Sequence, residues 1–344
     1  MTTPDGTSQV TLAPTDRIDL HLHTLASDGF WVPDSLTTYL AANNFRVAAV
    51  CDHDSQKSVA EAISLGRERG IVVVPGVEVT CRWEERQLHI LVYGIRPDRT
   101  DELAAPFLEL MREIDEQLNI NALDARERFI ASGRDLPSLE EIRDGRVLWP
   151  FHVLSAVIQD KHAPNLKESA EMLVSLGGTF TADLPLEDVV NAAHAAGGLC
   201  VIAHPGREDA VGVVTEADLD RMMQTVSLDG LEAHYRSHTA EQTALYRQMA
   251  IDKGMVISAG SDSHAPGKPV DPIPWRAAWS AQLLGMLGFD VESEEGSGPV
   301  WTPDMEPVPA KPATPEPDAA EPPEETLTDI ENEQTQKKDE VLQR

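Results

Sequence analysis

Cysteine is nearly absent from this chain: Cys51, Cys81 and Cys200 are spread over 344 residues. An odd total with no CxxC pair excludes a disulfide framework and a thiolate zinc site, so any metal chemistry falls to oxygen and nitrogen ligands. Basic residues are scarce too, 28 against 58 acidic, for a net charge of −30. A field of that sign repels phosphate backbones, which excludes sequence-independent binding of long duplex nucleic acid but leaves room for a small local pocket. No stretch approaches the roughly eighteen apolar residues that span a bilayer. The opening MTTPDGTSQVTLAPTDR has no apolar core behind a basic start, so a soluble, cytoplasmic chain without a membrane partner is expected.

Proline and acidity concentrate at the end. Residues 290–344 hold 16 Asp or Glu against 4 Lys or Arg, a local charge of 4 − 16 = −12. Such composition cannot bury enough apolar surface to offset the entropy of ordering, so residues 286–344 are expected to form a disordered tail that solubilises the chain or docks a partner. Residues 1–16 read as a flexible start.

Between them, short apolar or β-branched runs alternate with helical patterns. The runs are RIDLHLHT, FRVAAVCDHD, GIVVVPGVEVT, QLHILVYGI, GLCVIAHPG, DGLEAHY and GMVISAGSDSH, and the intervening segments include VPDSLTTYLAANN and PLEDVVNAAHAAGG. Buried strands alternating with amphipathic helices predict an α/β fold with a parallel sheet or barrel over residues 17–285. One interval, 97–182, lacks the rhythm and reads as an inserted helical subdomain over the barrel mouth.

The strand runs carry chemistry at their ends, where α/β barrels place it. His21 and His23 flank Leu22, and alternate strand residues face one side, so both imidazoles enter one space. Asp28 follows in a loop; Asp52, His53 and Asp54 end the next run. Glu78, His89, His204, Asp262 and His264 occupy comparable positions. One such histidine is ordinarily packed structure, but six beside carboxylates are costly to bury unless cations pair with them. Mixed imidazole and carboxylate ligands suit Mn²⁺, Zn²⁺ or Fe²⁺ better than Ca²⁺.

The ordered segments IDLHLHTLASDG, AAVCDHDS, VPGVEVT, LHILVYG, VIAHPGR and SAGSDSH resemble the motifs of the PHP (polymerase and histidinol phosphatase) domain, especially bacterial nucleoside 3′,5′-bisphosphate phosphatases and 5′-to-3′ exoribonucleases. The resemblance implies a distorted seven-stranded β/α barrel with two or three divalent cations, Mn²⁺ foremost and Zn²⁺, Fe²⁺ or Mg²⁺ as substitutes. It assigns His21, His23, Glu78 and Asp262 to a first ion, Glu78 as a bridge with His89 and His204 to a second, and Asp28, His53 and His264 to a third. It implies hydrolysis of phosphomonoesters by metal-activated hydroxide, with nucleotide bisphosphates or the 5′ ends of short oligonucleotides as candidate substrates.

Further roles follow from the same resemblance. Arg207, after His204-Pro205-Gly206, becomes a phosphate ligand or else a surface arginine; His238 becomes a substrate contact unless its neighbours Ser237 and Thr239 merely cap a helix. Asp19, Asp52 and Asp54 orient imidazoles or simply form turns. The insertion departs from the family: Arg112 is followed by Glu113, Asp115 and Glu116, and Trp149-Pro150-Phe151-His152 stands where an arginine-bearing segment is usual. Those aromatic residues either stack a base or pack the insertion onto the barrel. Two other readings fit the residues less well: an amidohydrolase, disfavoured because no lysine ends an apolar run, and a non-catalytic PHP scaffold with a docking tail, disfavoured because all nine candidate ligands are present.

Overall fold

The computed structural model describes residues 10–207, 212–293 and 300–305. Eleven strands and ten α-helices are formed among them. The first half runs β1 (Val10–Leu12), β2 (Arg17–Leu22), α1 (Pro33–Ala42), β3 (Phe45–Val50), α2 (Val59–Glu68), β4 (Val72–Trp83) and β5 (Arg86–Tyr93). Four helices follow: α3 (Ala105–Ala131), α4 (Leu139–Arg143), α5 (Pro150–Gln159) and α6 (Leu166–Ser175). The chain then returns through β6 (Leu184–Pro185), α7 (Leu186–Ala195), β7 (Leu199–Ile202), α8 (Glu216–Met222), β8 (Gly230–Tyr235), α9 (Ala240–Asp252), β9 (Val256–Gly260), β10 (Trp275–Arg276), α10 (Ala281–Met286) and β11 (Phe289–Val291).

One sheet of nine strands carries the site, in the order β10-β2-β3-β4-β5-β7-β8-β9, with β6 added beside β4. Just past β9, Asp262 N–H donates to His21 O at 2.8 Å and Ser263 O accepts from His23 N–H at 3.0 Å. The last strand thus returns to the first, and the sheet is a nearly closed barrel. The resemblance implied seven strands; β6 and β10, two residues each, make up the nine.

The expected parallel arrangement is corrected at β5, which runs antiparallel to both β4 and β7. Only Glu84 and Glu85 separate β4 from β5, and a link that short permits only an antiparallel pair. Glu84 takes φ 52° to make the turn.

Along β2, Ile18, Leu20 and Leu22 alternate with Asp19 and His21, and all are buried because helices cover the sheet. Within the insertion no strand forms among the described residues. Its long helix α3 serves two cores. Phe107, Met111, Ile114 and Leu118 pack with barrel strands and α7, whereas Ala122, Ala125 and Phe129 pack with α5 and α6. At about 1.5 Å per residue, its 27 residues form a rod of about 40 Å joining insertion to barrel.

Both ends of the chain differ from expectation. Within 1–16, β1 is ordered; within the span assigned to the tail, β11 pairs with it in parallel, Val10 opposite Phe289 and Leu12 opposite Val291. Trp301 packs edge-on against His234 at 5.7 Å, and Trp279 Nε1 donates to Val300 O at 3.1 Å. A few apolar residues, Phe289, Val291 and Trp301, hold these segments, although the averaged composition around them is polar. The rest of the expected start, 1–9, and of the expected tail, 294–299 and 306–344, lies outside the described residues. No described helix is long and apolar enough to cross a membrane.

Phe289→Ala should lower the unfolding free energy by about 3 kcal/mol in chemical denaturation, since Phe289 is buried. A change below about 0.5 kcal/mol, the level of an exposed substitution, would show that β11 adds nothing to the core.

Candidate metal centre

All nine candidate ligands come together at one end of the barrel. His21 and His23 leave the end of β2, Asp28 projects from the loop after it, and His53 follows β3. Glu78 lies in mid β4 and His89 in β5, while His204 follows β7 and Asp262 and His264 follow β9. His204 and Asp262 hold positive φ, 31° and 55°, a conformation that costs side-chain-bearing residues energy and persists where surroundings enforce it.

The Glu78 carboxylate is the hub. Its Oε1 is 2.8 Å from His204 Nε2 and 3.0 Å from His89 Nδ1. Its Oε2 is 3.0 Å from His21 Nε2, 3.2 Å from His23 Nε2 and 3.4 Å from His53 Nδ1. His23 Nε2 also lies 3.0 Å from Asp262 Oδ1, and His264 Nε2 is 3.3 Å from Asp28 Oδ2. Three overlapping donor groups result: His21, His23, Glu78 and Asp262; His53, Glu78 and His89; and His23, Asp28, His53 and His264. Four of the nine, Asp28, His53, His89 and His264, are partly exposed, so the cluster opens to solvent on one side.

Electrostatics bind the cluster together. Burial opposes charge on Glu78, yet His53, His21 and His89 and the bond from His204 hold its carboxyl well below the usual range. Burial likewise opposes charge on Asp262, but His264, His21, His23 and Arg236 keep it far below normal. Against the same opposition, Asp262 and Glu78 raise His23 to about 10, whereas burial wins at His53 and lowers it to about 3.

The set fits divalent cations. His23 Nδ1 and His204 Nδ1 are buried without a hydrogen-bond partner, and His21 Nε2 and His23 Nε2 face each other at 3.0 Å. Protein groups leave these lone pairs unmatched, and a cation accepts them.

The supporting side chains are partly other than expected. Asp52 accepts from Thr24 N–H and Oγ1 and from Ser27 Oγ, and Asp54 accepts from Thr80 N–H and Oγ1. Asp19 accepts from the amides of Ser261 and Ile273, each at 2.9 Å, while burial pushes its carboxyl up to about 7. These three secure loops and orient no imidazole.

Glu232 does that work. Fully buried in β8, it accepts from His21 Nδ1 at 2.9 Å and from the His204 amide at 2.7 Å. This hydrogen bond fixes the tautomer that leaves His21 Nε2 free as a ligand. Tyr235 donates its hydroxyl to Asp262 Oδ2 at 2.7 Å, and the Arg236 guanidinium pairs with the same oxygen. The one sequence signal for Glu232 was a carboxylate inside the apolar run DGLEAHY. Gly260 makes room for the pair: a Cβ there would overlap His21 Cβ and Glu232 Oε1.

Arg207 reaches the centre, its Nη1 3.5 Å from Asp262 Oδ2. His238 does not present a ring nitrogen to it in the same way. Its Nδ1 bonds Ala233 O at 3.0 Å and its Nε2 accepts the Gly206 amide at 3.1 Å, so it braces the turn after His204. In the insertion, Trp149 is buried with Nε1 on Asp115, and His152 Nδ1 accepts the Trp149 amide. Phe151, half-buried, meets Phe30 edge-on at 6.0 Å.

No family model matches the chain. It is 30% identical over 263 residues to the 3′,5′-nucleoside bisphosphate phosphatase of Chromobacterium violaceum, covering 73% of this chain and 88% of that protein. It is 28% identical over 257 residues to a 5′-3′ exoribonuclease of Haemophilus influenzae, covering 73% and 91%. Among solved structures, one described as an amidohydrolase from Chromobacterium violaceum, with bound sulfate and no metal, superposes with a TM-score of 0.62 at 28% identity, over 74% of this chain and 90% of that one.

Glu232→Gln keeps the side chain's shape but sets an amide where two donors point. It should weaken Mn²⁺ binding by about 10–100-fold, measured by calorimetric titration. Unchanged affinity would show that Glu232 has no part in presenting His21.

Proposed function

This chain belongs to the PHP family of metal-dependent phosphoesterases, and from that premise we propose that it hydrolyses phosphomonoesters at the centre built around Glu78. The observation that carries the reading is the five imidazole nitrogens within 3.4 Å of one buried carboxylate. The ester-hydrolase class is common to the relatives; the substrate and the residue roles are our own assignment.

His21, His23, Glu78 and Asp262 would hold one cation, Glu78 with His89 and His204 a second, and Asp28, His53 and His264 a third. Bound cations would supply an activated water and Lewis-acid relief of charge on the phosphoryl oxygens, with Mn²⁺ suited to this donor set. Arg207, partly exposed at the edge of the cluster, binds the phosphate of the incoming ester, for which its planar guanidinium offers two parallel donors. Tyr235 and Arg236 hold Asp262 in place as Glu232 holds His21. His238 positions the loop that carries both His204 and Arg207.

The open side of the cluster admits the ester, and phosphorylated nucleotides or short oligonucleotide ends are the class that the relatives' activities support. The amidohydrolase reading lacks a matching residue: no strand among the described residues contains a lysine.

Glu78→Gln removes the shared carboxylate. Phosphate release from an ester panel should fall by more than about 100-fold, beyond the usual loss for an outer supporting residue. Retained turnover would refute the assignment, and a wild-type protein inactive on every ester would favour a scaffold. In a single turnover on an ester made chiral at phosphorus, direct attack by water should invert the configuration; net retention would indicate a covalent phosphoenzyme intermediate.

A further inference from the structure

A cavity of about 250 Å³ adjoins the cluster. His53 and His89 form its floor, and Leu118, Trp149, Leu154 and Phe180 from the insertion form its walls. An ester whose phosphate rests on the cluster therefore places its alcohol portion against carbon. The cavity is slightly below the range of about 300–1,000 Å³ typical of drug-sized ligands, which leaves room for one ring system.

Its charge is equally telling. Neither Lys nor Arg lines it, and the two ionisable groups besides the histidines are the carboxyls of Asp28 and Asp54. Nearby cations are already engaged: Lys57 Nζ, just before α2, sits 2.6 Å from Asp115, and in the insertion Arg112 pairs with Glu109 and Glu116, Arg128 with Asp124 and Lys167 with Glu171. Arg207 and Arg236 both lie at Asp262.

We infer that this cavity is a leaving-group subsite for an uncharged, ring-bearing alcohol, and that it discriminates against substrates carrying a second phosphate. The inference rests on the phosphoesterase reading and narrows it to monophosphate esters. A second phosphate there would find neither Lys nor Arg to pair with and would lie near the Asp54 carboxyl, and a charge left unpaired in a partly desolvated site is strongly disfavoured. An aryl or nucleoside group gains by burial of its faces against Trp149 and Phe151.

The test compares Mn²⁺-loaded protein on adenosine 3′-monophosphate, adenosine 3′,5′-bisphosphate, 1-naphthyl phosphate and glycerol phosphate. The monophosphate should exceed the bisphosphate in kcat/KM by about tenfold or more. Leu166→Arg, at an exposed position on the cavity rim, should narrow that ratio by bringing in a cation. Phe151→Ala should raise KM several-fold more for naphthyl phosphate than for glycerol phosphate. A bisphosphate turned over as well as the monophosphate overturns the inference. If no ester is hydrolysed, the phosphoesterase reading fails, and calorimetry decides the cavity separately: adenosine 3′-monophosphate bound more tightly than adenosine 3′,5′-bisphosphate upholds it, and the reverse overturns it.

Discussion

The structure turns on one buried carboxylate. Glu78 is fully shielded from water, and five imidazoles crowd its two oxygens. An isolated charge in that position would cost several kcal/mol, so it survives only with positive charge beside it. Protonated histidines such as His23 can provide that charge, and divalent cations provide it with unmatched lone pairs still to be satisfied. The same requirement explains why Asp262 carries Tyr235 and Arg236 on its other oxygen and why Glu232 ties down His21. Each donor must be held before the cluster can be filled, because a loose imidazole would turn toward a neighbouring carboxylate.

The barrel is shaped around that need. A two-residue turn reverses β5, which brings His89 opposite Thr80 and next to Glu78 on the neighbouring strand. The near closure of β9 onto β2 sets Asp262 against His21 and His23. Gly260 is the clearance at this seam, where any side chain would displace both His21 and Glu232. On the open side, α3 joins the barrel's core to the insertion's own, so the apolar walls beside the cluster are fixed to the same framework as the ligands.

Much of the centre was legible in the sequence because its ligands sit at the ends of apolar runs, where period-two alternation and strand termini reveal themselves locally. His21 and His23 are the plainest case. Glu232 was not legible: its partners His21 and His204 lie 211 and 28 residues away, and nothing local distinguishes a buried glutamate from a strand's solvent-facing one. For Asp52 and Asp54 the sequence left two roles open, and the structure favours the local one: Asp52 bonds Thr24 and Ser27, and Asp54 bonds Thr80 of β4. At the ends of the chain, averaged composition concealed Phe289 and Trp301, single apolar residues that suffice to dock a polar segment. The reversal of β5 is visible in principle as the short gap after Trp83, a local break in an otherwise alternating βα rhythm.

The account stands on the claim that the Glu78 cluster is a multinuclear cation site. Anomalous diffraction from crystals equilibrated with Mn²⁺ tests it directly. The account predicts at least two peaks, one bounded by His21, His23, Glu78 and Asp262 and another sharing Glu78, both absent in Glu78→Gln crystals. Full occupancy of Mn²⁺ elsewhere with no density among these nine side chains would contradict it.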